Sequence, residues 1–178
     1  MRLILLGNAG AGKSTLAREL VARPPAARLS VDAVAFEPGS PKRHPLEHSV
    51  AEVEQFIAAH DHWILEGCYA DILAPVLEHA EELIFLNPGV DTCVAHCRAR
   101  PWEPEKFDSP REQHENLENL IAWVRSYPTR DDEYGLQRHR ALVDAFTGRK
   151  RELTHPKHYR QVLTGTTHLV TAVMPWHP

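Results

Sequence analysis

Eight residues near the start of the chain, Gly7-Asn8-Ala9-Gly10-Ala11-Gly12-Lys13-Ser14, have the types and the spacing to hold a polyphosphate. Glycines let the backbone wrap closely, so that successive N–H groups can converge on phosphate oxygens. Lys13 supplies a positive charge for the β- and γ-phosphates, and the Ser14 hydroxyl is suited to ligate Mg²⁺. Thr15 is a further candidate, for the α-phosphate. The surroundings match this chemistry. An apolar run, Leu3–Leu6, precedes the loop, and a helical pattern follows it, with Leu16/Leu20 and Ala17/Val21 paired four residues apart. The helix adds its positive dipole end at the same point. A chance glycine-rich turn has no need of strand, lysine, serine and helix in register, so the segment predicts a nucleoside-triphosphate site, with ATP and Mg²⁺ as its ligands.

The elements that must position this loop are visible as short apolar runs. Arg28–Val31, Trp63–Leu65 and Leu83–Leu86 each end at a turn-forming or acidic residue, as buried parallel strands do. A fifth strand is open between Lys150–Leu153 and Leu169–Val173. Helical patterns fill the gaps. One follows the loop and stops at Pro24-Pro25; a second covers roughly Leu46 to His60. Ser109-Pro110-Arg111-Glu112 combines a Ser cap, Pro at the first helical position and Glu in the capping-box place, and starts a helix ending before Pro128. Another is expected from Thr129, carrying Leu136, Leu142 and Phe146 before Gly148. Strands alternating with helices predict a parallel sheet covered on both faces. Without a repeat or a flexible linker, residues 1–178 read as one domain. Cys93, His96 and Cys97 fall at i, i+3 and i+4, but a structural zinc site wants a fourth ligand, and core cysteines beside a histidine are the better reading.

The chain resembles the small P-loop kinases: adenylate kinase, shikimate kinase, gluconate kinase and their relatives. More narrowly it is similar to bacterial adenylate-kinase-like proteins, some described for DNA topology modulation and some as shikimate kinases. The segments carrying the resemblance, besides the loop, are Ser30-Val31-Asp32, Trp63-Ile64-Leu65-Glu66-Gly67-Cys68-Tyr69 and Leu83-Ile84-Phe85-Leu86, within roughly residues 1–153. The resemblance implies a P-loop NTPase fold, three α/β/α layers around a five-stranded parallel sheet, with a small Arg-bearing lid at about 98–130. It also implies an ATP- and Mg²⁺-dependent phosphotransferase acting on a small acceptor. Asp32 then stands where relatives contact the acceptor, and could take a hydroxyl proton or hold the hydroxyl for in-line attack; equally, it could cap a helix or turn. The shikimate kinases carry Asp-x-Asp here, whereas this chain has Ser30-x-Asp32. Glu66 resembles a Walker-B-like strand end or an acceptor-side carboxylate, with turn chemistry before Gly67 as the plain alternative. Tyr69 could stack on a flat acceptor or simply pack. Lys42 and Arg43, in the Pro-rich stretch Glu37–Pro45, could hold an anionic acceptor group, or belong to a solvated turn.

The lid arginines come from two segments. Arg98-Ala99-Arg100-Pro101 resembles the Arg-Pro at the start of the shikimate-kinase lid. Thr129-Arg130-Asp131-Asp132, with Arg138 and Arg140 beyond, resembles the adenylate-kinase Arg-x-Asp-Asp with one residue missing. Arg100, Arg130 and Arg140 are the leading candidates to neutralise charge on a transferred phosphoryl group, and solvated helix charges are the alternative. Two other functions remain open: a regulatory ATP-binding module without turnover, and a nucleic-acid 5′-hydroxyl kinase.

Composition narrows these. Twenty Lys and Arg against 24 Asp and Glu give a net charge of −4, which offers no general footprint for nucleic acid. No apolar run approaches a membrane span, and the apolar start is too short for a signal peptide. Three cysteines, an odd number, suggest reduced thiols and a cytoplasmic protein. The tail from His155 to Pro178 matches no pattern and could cover the adenine side or serve an oligomer contact. Neither the acceptor nor the oligomeric state is legible.

Overall fold

The computed structural model describes residues 1–21, 25–102 and 108–163. Five strands form one sheet: β1 (Arg2–Gly7), β2 (Ala27–Ser30), β3 (Trp63–Gly67), β4 (Glu82–Leu86) and β5 (Arg149–Leu153). Their order is β2-β3-β1-β4-β5, and every pairing is parallel. Among the described residues eight α-helical segments connect and flank them: α1 (Lys13–Leu20), α2 (Asp32–Ala35), α3 (Leu46–Ala58), α4 (Ala70–Leu73), α5 (Val90–Arg98), α6 (Pro110–Arg125), α7 (Leu136–Ala145) and α8 (Tyr159–Leu163). No described helix is long and apolar enough to cross a membrane.

Strand residues alternate between two apolar clusters, as the two-residue period of a strand requires. Ile4, Leu6, Trp63, Leu65, Leu83 and Phe85 meet Ala35, Val53, Ile72, Leu73 and Leu142 on one face. Leu3, Leu5, Ile64, Ile84 and Leu86 meet Leu16, Ala17, Val94, Ile121 and Val124 on the other. An apolar strand buried on both faces accounts for the unbroken runs of β1, β3 and β4. The result is an α/β fold with helices on both sides of the sheet. β1 lies at its centre; the chain leaves β1 toward β2 on one side and leaves β3 toward β4 on the other, so the order reverses between β1 and β3, the place where open α/β sheets bind ligands at the carboxyl ends of their strands.

One alternative closes and one expectation changes. The fifth strand is Arg149–Leu153; the competing Leu169–Val173 lies outside the described residues, as do Pro24, residues 103–107 of the expected lid and residues 164–178 of the tail. The helix expected from Thr129 begins instead at Leu136. Asp132 side-chain Oδ1 accepts from the Tyr134 N–H and the Asp132 carbonyl from the Gly135 N–H, forming a tight turn that helix could not continue. The Ser109 start behaves as read: its Oγ accepts from the Glu112 N–H at 3.1 Å, and Glu112 reaches back to the Asp108 N–H at 2.8 Å.

Candidate functional site

The Gly7–Ser14 loop joins β1 to α1 at the carboxyl edge of the sheet. Gly10 and Gly12 take left-handed backbone conformations, with φ of 77° and 95°. At Gly10 a Cβ would also lie 2.3 Å from the Cys93 carbonyl oxygen, so α5 can press against the loop only because no side chain is there. The Lys13 ammonium is nearly buried and donates to the carbonyls of Gly7 and Asn8 at 3.0 and 2.9 Å. It thus rests on the loop's own backbone. First-turn amides of α1 have no acceptor within the helix and add to the same positive end.

Contacts with three later helices brace this loop. Asn8 Nδ2 donates to the Val124 carbonyl of α6 at 3.1 Å, while its Oδ1 accepts from the Ala9 N–H at 2.8 Å. His96 Nδ1 of α5 donates to the Gly10 carbonyl at 2.7 Å. The Tyr159 hydroxyl of α8 donates to the Ala11 carbonyl at 2.7 Å, and its ring covers Gly12. Tyr159 is marked by no local pattern, and the spacing of His96 with Cys93 and Cys97 points to packing and not to the loop; both cysteines are buried, and Gly10 lies against them.

Glu66 is the penultimate residue of β3, directly beside Leu5 of β1, and is 2% exposed. Its Oε2 accepts from Ser14 Oγ at 3.0 Å, and its Oε1 pairs with Arg28 Nη2, also at 3.0 Å. A hydroxyl and a carboxylate in contact at the loop form an all-oxygen donor pair, the type a hard cation such as Mg²⁺ takes. Glu66 therefore stands with Ser14 and Arg28. Arg28, which sequence reading passed over as part of a strand, holds that carboxylate from β2.

Asp32 opens α2 and is exposed, while the Tyr69 hydroxyl donates to its Oδ1. Tyr69 is only 4% exposed, and its ring meets Phe36 and Tyr134 edge-on, at centroid distances of 6.2 and 5.2 Å. It has no open face on which a flat molecule could stack. It supports Asp32. Burial and the Asp32 carboxylate push the Tyr69 phenol well above its ordinary value, so it remains a donor throughout the neutral range. Cys68 follows Gly67 at the end of β3 and is buried. Burial pushes its thiol up to about 12, against the pull of Lys13, with Asp32 and Glu66 adding to the rise and Arg130 opposing it.

The expected cations differ in setting. Arg43 divides its guanidinium between two acids, Nη2 to Asp71 at 3.1 Å and Nη1 to Glu133, and lies 5.5 and 5.6 Å from the ring centres of Tyr69 and Tyr134. Burial pulls its pKa down, but Asp71, Tyr134 and Glu133 outweigh that, and the charge is held more firmly than usual. Lys42 pairs with Glu37 at 2.7 Å. Arg130 contacts Asp132 at 2.6 Å and lies 4.2 Å from the centre of the Trp123 ring, with its side chain 14% exposed. Arg140 pairs with Glu152 at 3.3 Å, at the carboxyl end of β5, and approaches the Phe85 ring. Arg100 follows the end of α5 and is half-buried, its N–H directed to the Cys97 carbonyl. Thr15 lies in the first turn of α1 and is exposed.

No protein-family model matches the chain, and no curated protein matches it.

Proposed function

We propose that the chain is an ATP-dependent phosphotransferase that moves the γ-phosphoryl group to a hydroxyl of a small acceptor. The observation carrying this reading is the Ser14–Glu66 hydrogen bond beside the Lys13 loop, with the Tyr69-supported Asp32 following the neighbouring strand, at the carboxyl ends of β1, β3 and β2. A loop built to bind anions, an oxygen pair suited to a cation and a supported carboxylate on the far side are the parts phosphoryl transfer needs.

In this account the loop amides and Lys13 hold the triphosphate, Lys13 exchanging its two loop carbonyls for phosphate oxygens. Ser14 and Glu66 would hold Mg²⁺, which when bound offsets phosphate charge. Asp32 receives the proton of the acceptor hydroxyl as that oxygen bonds to the γ-phosphorus and the bond to the β–γ bridging oxygen breaks. ADP leaves, and the acceptor departs as a phosphate monoester. Tyr69 keeps Asp32 in one orientation, which matters because the transfer depends on alignment more than on covalent help from the protein. His96, Asn8 and Tyr159 fix the loop backbone in advance of binding.

The test follows the label from γ-³²P-ATP with the full chain, Mg²⁺ and a panel of alcohols. Label in an acceptor, lost in Lys13→Ala, is the expected result. Label only in inorganic phosphate, or none released while ATP binds, would favour a nucleotide-sensing module instead.

A further inference from the structure

The cation that holds Glu66 comes from β2. Arg28 pairs in register with Ile64 and Ser30 with Glu66, so Arg28 and Glu66 share one face of the sheet, two residues apart along it. Ile64 on that face packs in one cluster with Leu16 and Ala17 of α1, the helix whose first turn carries Ser14. Arg28 Nη2 reaches along the face to Glu66 Oε1 at 3.0 Å, and Ser14 Oγ donates to Oε2 at the same distance. Each carboxylate oxygen therefore has its own partner. Arg28 Nε is buried with no hydrogen-bond partner among the described residues, so the guanidinium touches Glu66 at one point and not as a fork. Charge at this end of the sheet is also balanced. Lys13 lies next to Ser14 and Arg28 lies on Glu66, two cations beside one carboxylate. Asp32, just beyond β2, accepts from Tyr69, and with it counted these acids still do not outnumber the cations. A buried carboxylate alone would draw a divalent cation, whereas this one presents no excess negative charge to it.

We infer that Arg28 is a positioning residue for the cation site: it leaves Glu66 Oε2 to Ser14 and offsets the carboxylate's charge, so that a divalent cation enters with the polyphosphate and not ahead of it. This rests on the phosphotransferase reading above and adds the order in which its cation arrives. The polyphosphate supplies the negative charge that the bare site lacks, together with oxygen ligands beyond those of Ser14 and Glu66. What Arg28 contributes is its charge, delivered through a single contact that a lysine ammonium can also make.

The experiment uses the full chain and Mn²⁺, with and without β,γ-imido-ATP. Protein-bound Mn²⁺ is read by water-proton relaxation enhancement, which the small Mn²⁺–nucleotide chelate does not give. The wild type should bind Mn²⁺ with the analogue, and about tenfold or more weakly without it. In Arg28→Gln, which keeps a donor to Glu66 but not the charge, Mn²⁺ alone should bind about tenfold or more tighter than in the wild type. Arg28→Lys should behave as the wild type does, and joining Glu66→Gln to Arg28→Gln should abolish the gain. A merely structural defect would weaken binding and not tighten it; each variant is checked for an unchanged melting transition, and the wild-type arms decide where a variant does not fold. Wild-type Mn²⁺ binding as tight without the analogue as with it, and lost in Glu66→Gln, overturns the inference and leaves the cation pair standing. So does a folded Arg28→Gln with no gain, or an equal gain in Arg28→Lys. If the analogue binds and brings no Mn²⁺ to the wild type, Ser14 and Glu66 are not a cation site, and the phosphotransferase reading falls with the inference.

Discussion

Residue identity decides two roles at the site that residue type alone leaves open. Glu66 and Asp32 are both carboxylates at strand ends, yet Glu66 is buried against Ser14 and Arg28 while Asp32 is exposed under Tyr69. They should fail differently when changed. Glu66→Gln keeps the shape but loses the charge. It should raise the Mg²⁺ concentration needed for half-maximal turnover by about tenfold or more, and leave acceptor KM near that of the wild type. Equal shifts in both constants would put Glu66 on the acceptor side after all. Tyr69→Phe removes one hydrogen bond and keeps the ring contacts with Phe36 and Tyr134. Because Tyr69 acts through Asp32, kcat should fall about tenfold with acceptor KM little changed. A rise in KM alone would mean that the phenol touches the acceptor directly.

At the scale of elements, the loop is held by what packs behind it. Gly10→Ala places a methyl group 2.3 Å from the Cys93 carbonyl at a left-handed φ, so either α5 retreats or the loop changes shape. Nucleotide affinity should drop by about tenfold or more while the protein remains folded, measured by calorimetric titration next to circular dichroism. Wild-type affinity in that variant would contradict the close packing of α5 on the loop.

The elements also explain which parts were readable in advance. β1, β3 and β4 are buried on both faces, so hydropathy alone outlines them. β5 is an edge strand, Arg149–Leu153, whose arginines pair with Glu82 of β4; its charged residues give hydropathy no means to prefer Lys150–Leu153 over Leu169–Val173. α7 was expected too early because the turn at Asp132–Gly135 depends on a close approach: a Cβ on Gly135 would lie 2.4 Å from the Arg130 carbonyl. The Gly7–Ser14 loop was legible because its working parts are contiguous. Arg28, His96 and Tyr159 come from β2, α5 and α8, so only the fold brings them to Glu66, Gly10 and Ala11.

Over the whole molecule, His139 joins three layers of structure. It lies on α7 and is completely buried. Its Nε2 donates to the Cys68 carbonyl at 2.9 Å, and its Nδ1 meets the Tyr127 hydroxyl at 2.8 Å. Burial lowers its pKa from 6.5 to about 4, although the Cys68 carbonyl pulls the other way. The unfolded chain therefore takes up this proton before the folded one does. The resulting stability is whole above pH 6.5 and is lost progressively as pH falls toward 4, by roughly 3 kcal/mol at the limit. Urea unfolding at pH 7.5 and 5.0 should show a drop in the wild type that is smaller in His139→Gln. An identical drop in both would remove His139 as its source.

If the Gly7–Ser14 loop cradles a polyphosphate, with Lys13 held on the loop's own carbonyls until it binds, calorimetric titration of the full chain with ATP and Mg²⁺ should show one saturable site. In Lys13→Ala that site should be weakened by about a hundredfold or more, because a buried charge-assisted contact is lost. Equal affinity in both proteins, or no binding by the wild type, would contradict it.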